Sequence, residues 1–474
     1  MKTEEKRLIR KEKEAKELAK REKELAKKKP AGYLVYLIMI LSLVYITDEV
    51  ASIISINFQS NIITEFLVIP KGLTEEAAKN TFDSLGFISY PVMILAFLYK
   101  PLADRFGRKP FLFINTFFMA IGLFIIYLSK NIVIYMAGAT LISFFVMHDM
   151  HCVYLMEVAN DKNRGTMYAI SKTCAVLGTF MIPFCRKLFM GNNSSMWHFC
   201  FLIPAIFGFV ASILALAFAR ETDAFEIKRI SYLKKTDEER ENDSKKDKEL
   251  NAQGGLINAI KFIFKHHQLS MLFLACSFFF LGSQMTSNYN TLMSYSFGLD
   301  EESITSATML YSVGSAFFVL SMGFISDIFG RKIVSCVMTG CSILMYILFI
   351  IGLTYNWPLI LIGLFLGGYT GSYWATGDTM GAIMWSESSP TNLRSSVVTV
   401  QTINFGLSGI ISIVITMICQ SLIPVQNWSI PYLIIATVGP VISLFILMKN
   451  VGETKGLDLK TVTGEEWDRK KIDK

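Results

Sequence analysis

The chain has 474 residues, 52% apolar and only 18% charged, with 46 basic against 39 acidic side chains, a net charge of +7 and a mean hydropathy of +0.43. A soluble chain carries roughly 25% charged residues, so this balance excludes a soluble enzyme. The apolar excess suffices for about a dozen spans of roughly 20 residues, which excludes a receptor with a single anchor.

Residues 1–30 alternate Lys, Arg and Glu with Ala and Leu, and Glu12/Lys16, Glu17/Arg21 and Glu24/Lys28 fall at i,i+4 spacing. That predicts a solvated helix ended by Pro30, a charged cytoplasmic tail. No signal-peptide pattern is present, so translocation is expected to begin with the first span. Apolar runs follow at 33–57, 85–101, 111–129, 132–157, 166–188, 197–219, 268–296, 304–325, 333–354, 357–385, 395–422 and 429–448. The polar stretch 220–256 has no apolar periodicity and reads as a flexible linker, and 257–267 reads as an amphipathic helix along the membrane surface. The fold expected is an all-α polytopic membrane protein. Its twelve transmembrane helices form two pseudo-symmetric six-helix bundles, 31–219 and 268–449, around a central cavity, joined by 220–267 and followed by a tail, 450–474. With the N-terminus inside, the outer loops hold only Lys71, Lys79, Lys130, Arg186 and Lys187, so both termini are expected in the cytoplasm. The eight cysteines lie scattered, mostly in apolar runs without a CxxC pair, and read as packing residues; Cys185 and Cys200 flank one outer loop, where a disulfide is the lesser reading.

One pattern occurs twice. Asp104-Arg105-Phe106-Gly107-Arg108-Lys109 after span two returns as Asp327-Ile328-Phe329-Gly330-Arg331-Lys332 after span eight, an offset of 223. Glu157 and Arg164 return as Glu387 and Arg394 at an offset of 230, and Glu221-Thr222 as Glu453-Thr454 at an offset of 232. Near-constant offsets indicate a duplicated six-helix unit, an architecture that places a solute site at the midplane between halves. The acidic and basic groups at these turns are candidates for a reversible latch that forms when the cytoplasmic side closes and parts when the halves rock open.

Gly323-x-x-x-Asp327-x-x-Gly330-Arg331-Lys332 and its first-half copy resemble the loop signature of the major facilitator superfamily, over essentially the whole chain. Glu157 to Arg164-Gly165, Trp385-Ser386-Glu387-Ser388-Ser389-Pro390 to Arg394, and Gly452-Glu453-Thr454-Lys455-Gly456 are similar to the sugar-porter branch and its metabolite–proton symporter relatives. In that branch span seven carries paired glutamines, Ser or Thr, Asn and tyrosines. Gln284, Ser287, Asn290 and Tyr295 match part of this pattern, and Lys172 stands where the branch usually has a sugar-binding glutamine.

Ionisable groups inside the membrane cost several kcal/mol unless they pair or line a cavity, so they point to the solute path. Span one carries Asp48 and Glu49, with Ser52, Ser55 and Gln59 continuing the face of Asp48; span four carries His148, Asp149 and His151. Asp378 occupies the repeat position of His148, and Lys172 lies eight residues past Arg164. At 1.5 Å per residue His148, Asp149, Asp378 and Lys172 share a layer roughly 12 Å from the cytoplasmic rim. Further lining candidates are Gln284, Ser287, Asn288, Thr291 and Tyr295 along one face of span seven, Thr370, Tyr373 and Trp374 in span ten, and Gln401, Asn404 and Ser408 in span eleven. Gly363, Gly367, Gly368 and Gly371 are expected to permit close helix packing rather than bind phosphate.

No Gly-rich Lys-Ser/Thr phosphate loop is present, so a gradient rather than ATP is the expected energy source. Asp48, Glu49, His148, Asp149 and His151 are the candidate proton-coupling groups. The expectation is a proton-coupled transporter working by alternating access on a small polar solute, an organic acid or related metabolite whose carboxylate meets Lys172. A sugar porter in which Lys172 neutralises Asp149 is the alternative, and a nutrient sensor on the same scaffold a more distant one. His148-x-x-His151 has poor spacing for a metal hydrolase, so neither enzyme, metal, cofactor nor nucleic-acid chemistry is expected. A monomer suffices for the pathway. A bacterial inner membrane is favoured, although Asn193-Ser194-Ser195 would be a glycosylation acceptor in a eukaryote.

Overall fold

The computed structural model describes residues 2–27, 32–89, 91–92, 99, 102–146, 150–158, 164–191, 193–236, 238–240, 242, 256–390 and 393–455, among which there is no strand. The first half contains α1 (Lys2–Ala26), α2 (Tyr33–Asn57), α3 (Glu75–Gly86), α4 (Arg108–Tyr127), α5 (Ile132–Val146), α6 (Met150–Val158), α7 (Arg164–Gly178), α8 (Met181–Phe189) and α9 (Leu202–Phe218). After α10 (Asp223–Lys234) and α11 (Leu256–Lys265) come α12 (His267–Phe280), α13 (Glu301–Thr308), α14 (Tyr311–Phe329), α15 (Arg331–Thr354), α16 (Leu359–Asp378), α17 (Arg394–Leu422) and α18 (Ser429–Asn450). Eight helices among the described residues are long and apolar enough to cross a membrane, and their outward faces display Val35, Met39, Ile213, Phe317 and Phe445, side chains suited to lipid. Most of expected span two, 85–101, lies outside the described residues.

Two apolar cores form. One gathers Val50, Ile54, Met119, Leu123, Tyr135, Trp197 and Phe201, and the other Leu272, Phe279, Tyr346, Tyr369, Tyr373, Trp385 and Trp428. In the second core α16 presses on α13 and α14. A Cβ on Gly363, Gly367 or Gly371 would overlap the carbonyl oxygen of Ala307, Tyr311 or Ser315, so these glycines do set the close approach. Cys185 and Cys200 are both free and fully buried, packing residues rather than a disulfide.

Span one runs as α2, but the chain just beyond it and span seven are broken. After Asn57 the chain makes a short helix, Gln59–Ile63, and a π turn, Thr64–Val68; after Phe280 it makes a 3-10 turn, Ser283–Thr286, a short helix, Tyr289–Thr291, and a π turn, Leu292–Ser296. The expected single polar face of span seven is therefore broken. Side chains there bond their own backbone, Thr286 to the Ser283 carbonyl at 2.7 Å and Thr291 to that of Asn288 at 3.0 Å, and such local bonds compete with a regular helix.

The start of the expected flexible linker is helical as well. Thr222 caps α10, its hydroxyl accepting the Phe225 N–H at 3.3 Å, and α1 packs antiparallel to α10 through charges. Glu17 pairs with Arg229 at 3.0 Å, Arg21 with Glu226 at 2.9 Å, Glu22 with Lys234 at 2.8 Å, and Arg240 with Glu14 at 2.9 Å. The tail is thus a helix, but not merely a solvated one. Its Glu12–Lys16 and Glu17–Arg21 pairs form as the spacing predicts, and Glu24 pairs with Lys27; Lys28 lies outside the described residues.

Candidate functional site

Both bundles end in the same charged construction at the face that bears the termini. In the first, Glu221 accepts the N–H groups of Arg108 at 2.8 Å and of Lys109 at 3.2 Å, capping the first turn of α4. Arg108 Nε then donates to Glu157 at 2.9 Å, and the other Glu157 oxygen accepts the Thr222 hydroxyl at 2.5 Å. In the second, Glu453 accepts the N–H groups of Arg331 at 2.7 Å and Lys332 at 3.1 Å, Arg331 donates to Glu387 at 3.2 Å, and Thr454 to Glu387 at 2.6 Å. Burial pushes the Glu221 carboxyl up, while the N–H groups of Thr222, Arg108 and Lys109 draw it down. The turns need glycine: Gly107 and Gly330 have φ of +111° and +102°, and a Cβ on either would strike the capping carboxylate. Gly323 lies inside α14. The side chains of Asp104, Arg105, Arg164, Asp327 and Arg394 lie outside the described ones. Among the described residues the bonds of each network lie within its own half and fasten helix ends of one bundle.

Midway along the helices the halves meet in a polar layer. Lys172 of α7 is bonded to the carboxylate of Asp378, the last residue of α16; the lysine is buried, while the aspartate is 35% exposed. His151 of α6 lies with its ring centroid 4.0 Å from that of Tyr45 on α2, one turn from the buried Asp48. His151 Nε2 has no hydrogen-bond partner among the described residues, and Lys172 is near enough to act on it electrostatically. Glu49, also on α2, is half-buried. His148 and Asp149 lie outside the described residues. The expected layer therefore does bring Lys172 and Asp378 together, and the cation that was expected to meet a solute carboxylate has a carboxylate partner within the protein.

Other lining candidates divide. Trp374 is 39% exposed, set edge-on to Tyr373 and Phe405, and Gln284 and Ser287 are half-buried. Asn288 is buried with its amide nitrogen unpartnered among the described residues. Tyr373 is fully buried, stacked at 4.4 Å on Phe279 with its hydroxyl donating to the Phe279 carbonyl at 3.2 Å, so it is core rather than lining. Gln401 and Asn404 are also buried, and Asn404 binds α17 to α12: it accepts the Ser277 hydroxyl at 2.8 Å and donates to the Phe273 carbonyl and, within α17, to Gln401, both at 3.2 Å, while the amide nitrogen of Gln401 has no partner among the described residues. Asn404 thus acts as glue between helices.

Tyr295 lies elsewhere, at the face opposite the termini, where the broken chain beyond span one crosses span seven. Its hydroxyl donates to the Ser60 carbonyl and meets the Thr64 hydroxyl, each at 3.1 Å, and Asn290 accepts from the Ser60 N–H at 2.9 Å while donating to the Asn57 carbonyl at 2.7 Å. Arg186, Glu301 and Asn61 join the halves beside this crossing. Arg186 figured in the sequence only as a basic residue of a loop, and Ser60, Asn61 and Glu301 not at all. Ser60 and Asn290 are 230 residues apart, so the repeat spacing was a usable signal for that pair.

A family model described as sugar (and other) transporter matches residues 54–465. No curated protein sequence matches this one. Among solved structures, a proton:xylose symporter, XylE, of the major facilitator superfamily, bound to 6-bromo-6-deoxy-D-glucose, shares 16% identity over 92% of this chain and 99% of its own, with a TM-score of 0.65. XylE from E. coli in an inward-open conformation gives 15%, 90%, 99% and 0.65, and a bacterial homolog of the human lysosomal transporter Spinster gives 13%, 89%, 96% and 0.56. At these identities the likeness is one of fold, the twelve-helix, two-bundle architecture.

Proposed function

Since the chain belongs to the sugar (and other) transporter family, we propose that it carries a neutral sugar, in symport with protons and by alternating access at the polar layer between its halves. The observation that carries this reading is the Lys172–Asp378 pair. It gives a carboxylate partner to the cation on which an organic-acid substrate was expected to depend, and Trp374, one turn before Asp378, together with Gln284, Ser287 and the amide of Asn288, unpartnered among the described residues, offers groups of the kind that stack on and hydrogen-bond to a polyol. A pair that joins the bundles must part when they rock, so Lys172 and Asp378 are positioning residues whose partnership a proton or solute can exchange. Asp48, buried beside the Tyr45–His151 contact, is the described carboxylate best placed to accept the coupled proton. In the membrane both termini face the cytoplasm, the protein works as a monomer, and the far-face crossing of spans one and seven closes the path to the outside.

Counterflow and uptake of labelled monosaccharides in proteoliposomes, with and without an imposed pH gradient, test the reading. Sugar uptake should rise with an inward proton gradient. Asp48→Asn should abolish that response while leaving counterflow, and Lys172→Gln with Asp378→Asn together should retain more counterflow than either alone, because each single change leaves one partner's charge behind. Counterflow of a carboxylic acid and of no sugar would overturn it.

A further inference from the structure

Arg186 stands in α8 of the first half and is 1% exposed. A guanidinium so placed costs several kcal/mol unless it is paired and fully hydrogen-bonded. Its Nε and Nη2 both donate to one oxygen of Glu301, the first residue of α13 in the second half, the former at 3.1 Å. Its Nη1 donates to the Asn57 carbonyl at 2.9 Å, where α2 breaks, and its plane lies 5.2 Å from the centre of the Phe58 ring. Asn61 donates to the second Glu301 oxygen at 2.5 Å. Both carboxylate oxygens of Glu301 are therefore held by the opposite half.

The setting differs from that of the charged networks at the terminal face, which close within one bundle. Here the charges bridge the bundles, and they do so beside the two π turns, Thr64–Val68 and Leu292–Ser296, whose starts lie 228 residues apart and so correspond in the repeat. Such turns leave helix segments able to shift. While the crossing is dry the pair is strong; once the halves separate and water enters, hydration replaces much of what the pair supplied. That combination suits a contact that must be firm in one state and broken in the next.

We propose that Arg186 and Glu301 form the ionic lock of the far face, the contact whose making and breaking sets how often that face opens. The proposal rests on the alternating-access reading, but its test does not depend on identifying a solute. Hydrogen–deuterium exchange of the full-length protein in lipid nanodiscs, without added solute, compares the wild type with Glu301→Gln and with Arg186→Gln/Glu301→Gln. The first keeps the shape of the side chain but removes its charge, and the second leaves no buried guanidinium, so a folded variant is available even if Arg186 alone proves intolerant of losing its partner. Both should raise exchange in segments 57–71 and 289–301 by about tenfold, with residues 342–353 of α15 unchanged as a measure of intact folding. Unchanged exchange at the crossing in the double variant would overturn the lock, whatever sugar counterflow shows; absence of counterflow in the wild type, with the exchange response present, would overturn the transport reading and leave the lock standing.

Discussion

Gly107 and Gly330 hold the same place in two copies of one construction: each opens a long helix at a φ that side chains other than glycine rarely adopt, and each lies directly against the carboxylate that caps that helix. Replacing either by Ala should add backbone strain and displace Glu221 or Glu453 from the N–H groups they accept, a combined cost of about 1–3 kcal/mol. The melting temperature in detergent should fall for both, and the fall should be larger than for Gly340→Ala, since a Cβ at Gly340 meets nothing within 4 Å. At the same scale the polar layer shows how far single residues could be read from spacing. Lys172 and Asp378 were placed at one depth by counting from Arg164 and Glu387, and depth follows from helical rise alone. Their bonding to each other, and the loss of Tyr373 and Asn404 to the core, depend on rotation about the helix axes, which residue counting does not determine.

Between elements, two contacts are made by features of opposite kind. α16 reaches α13 and α14 by having no side chains at Gly363, Gly367 and Gly371, so Gly367→Leu should keep the second bundle from packing and show as loss of the folded, monodisperse protein on size exclusion, whereas Gly406→Leu, at an open position of α17, should be tolerated. α1 meets α10 through charged pairs and a cation over a ring, Arg21 lying 5.3 Å from the centre of Phe225. Exposed pairs contribute only about 0.2–1 kcal/mol each, so this docking holds as a network and weakens with salt. The Arg229 guanidinium bonded to Glu17 keeps its carboxyl below the ordinary 4.5, with Arg21 adding to the effect against the opposing influence of burial. A carboxylate whose pKa is lowered by folding stabilises the contact above its unfolded value and loses that contribution as pH falls through the folded one. Protease release of α1 should therefore be slow above about pH 4.5 and accelerate below it, and Arg21→Glu should produce fast release at neutral pH that Glu226→Arg restores. Fast release from the wild type at pH 7 and low salt would show the docking to be negligible.

For the whole molecule, orientation is the property most open to direct measurement. A membrane-impermeant amine reagent applied to intact cells should label Lys71 and Lys130, exposed at the far face, and spare Lys16 and Lys234, exposed beside the termini; the reverse pattern would invert the assigned topology. The number of spans, their order, the duplication and the family resemblance were legible in the sequence, because a bilayer imposes a length of apolar chain on every helix and a duplicated unit repeats its motifs at a fixed offset. The charged pairs Arg108–Glu157 and Arg331–Glu387 could be anticipated for the same reason, each partner being named twice. Apolar content does not reveal where a span breaks: the π turns beyond span one and in span seven, the 3-10 turn after Phe280 and the helix at Asp223–Lys234 arise from local side-chain bonds and from docking partners distant in the chain. The sequence by itself determined the all-helical, duplicated membrane fold, since hydropathy and helical rise act along the chain. Only the tertiary structure decided which charges face one another across the halves, Lys172 with Asp378 and Arg186 with Glu301, because that depends on how two separately folded bundles are rotated and pressed together.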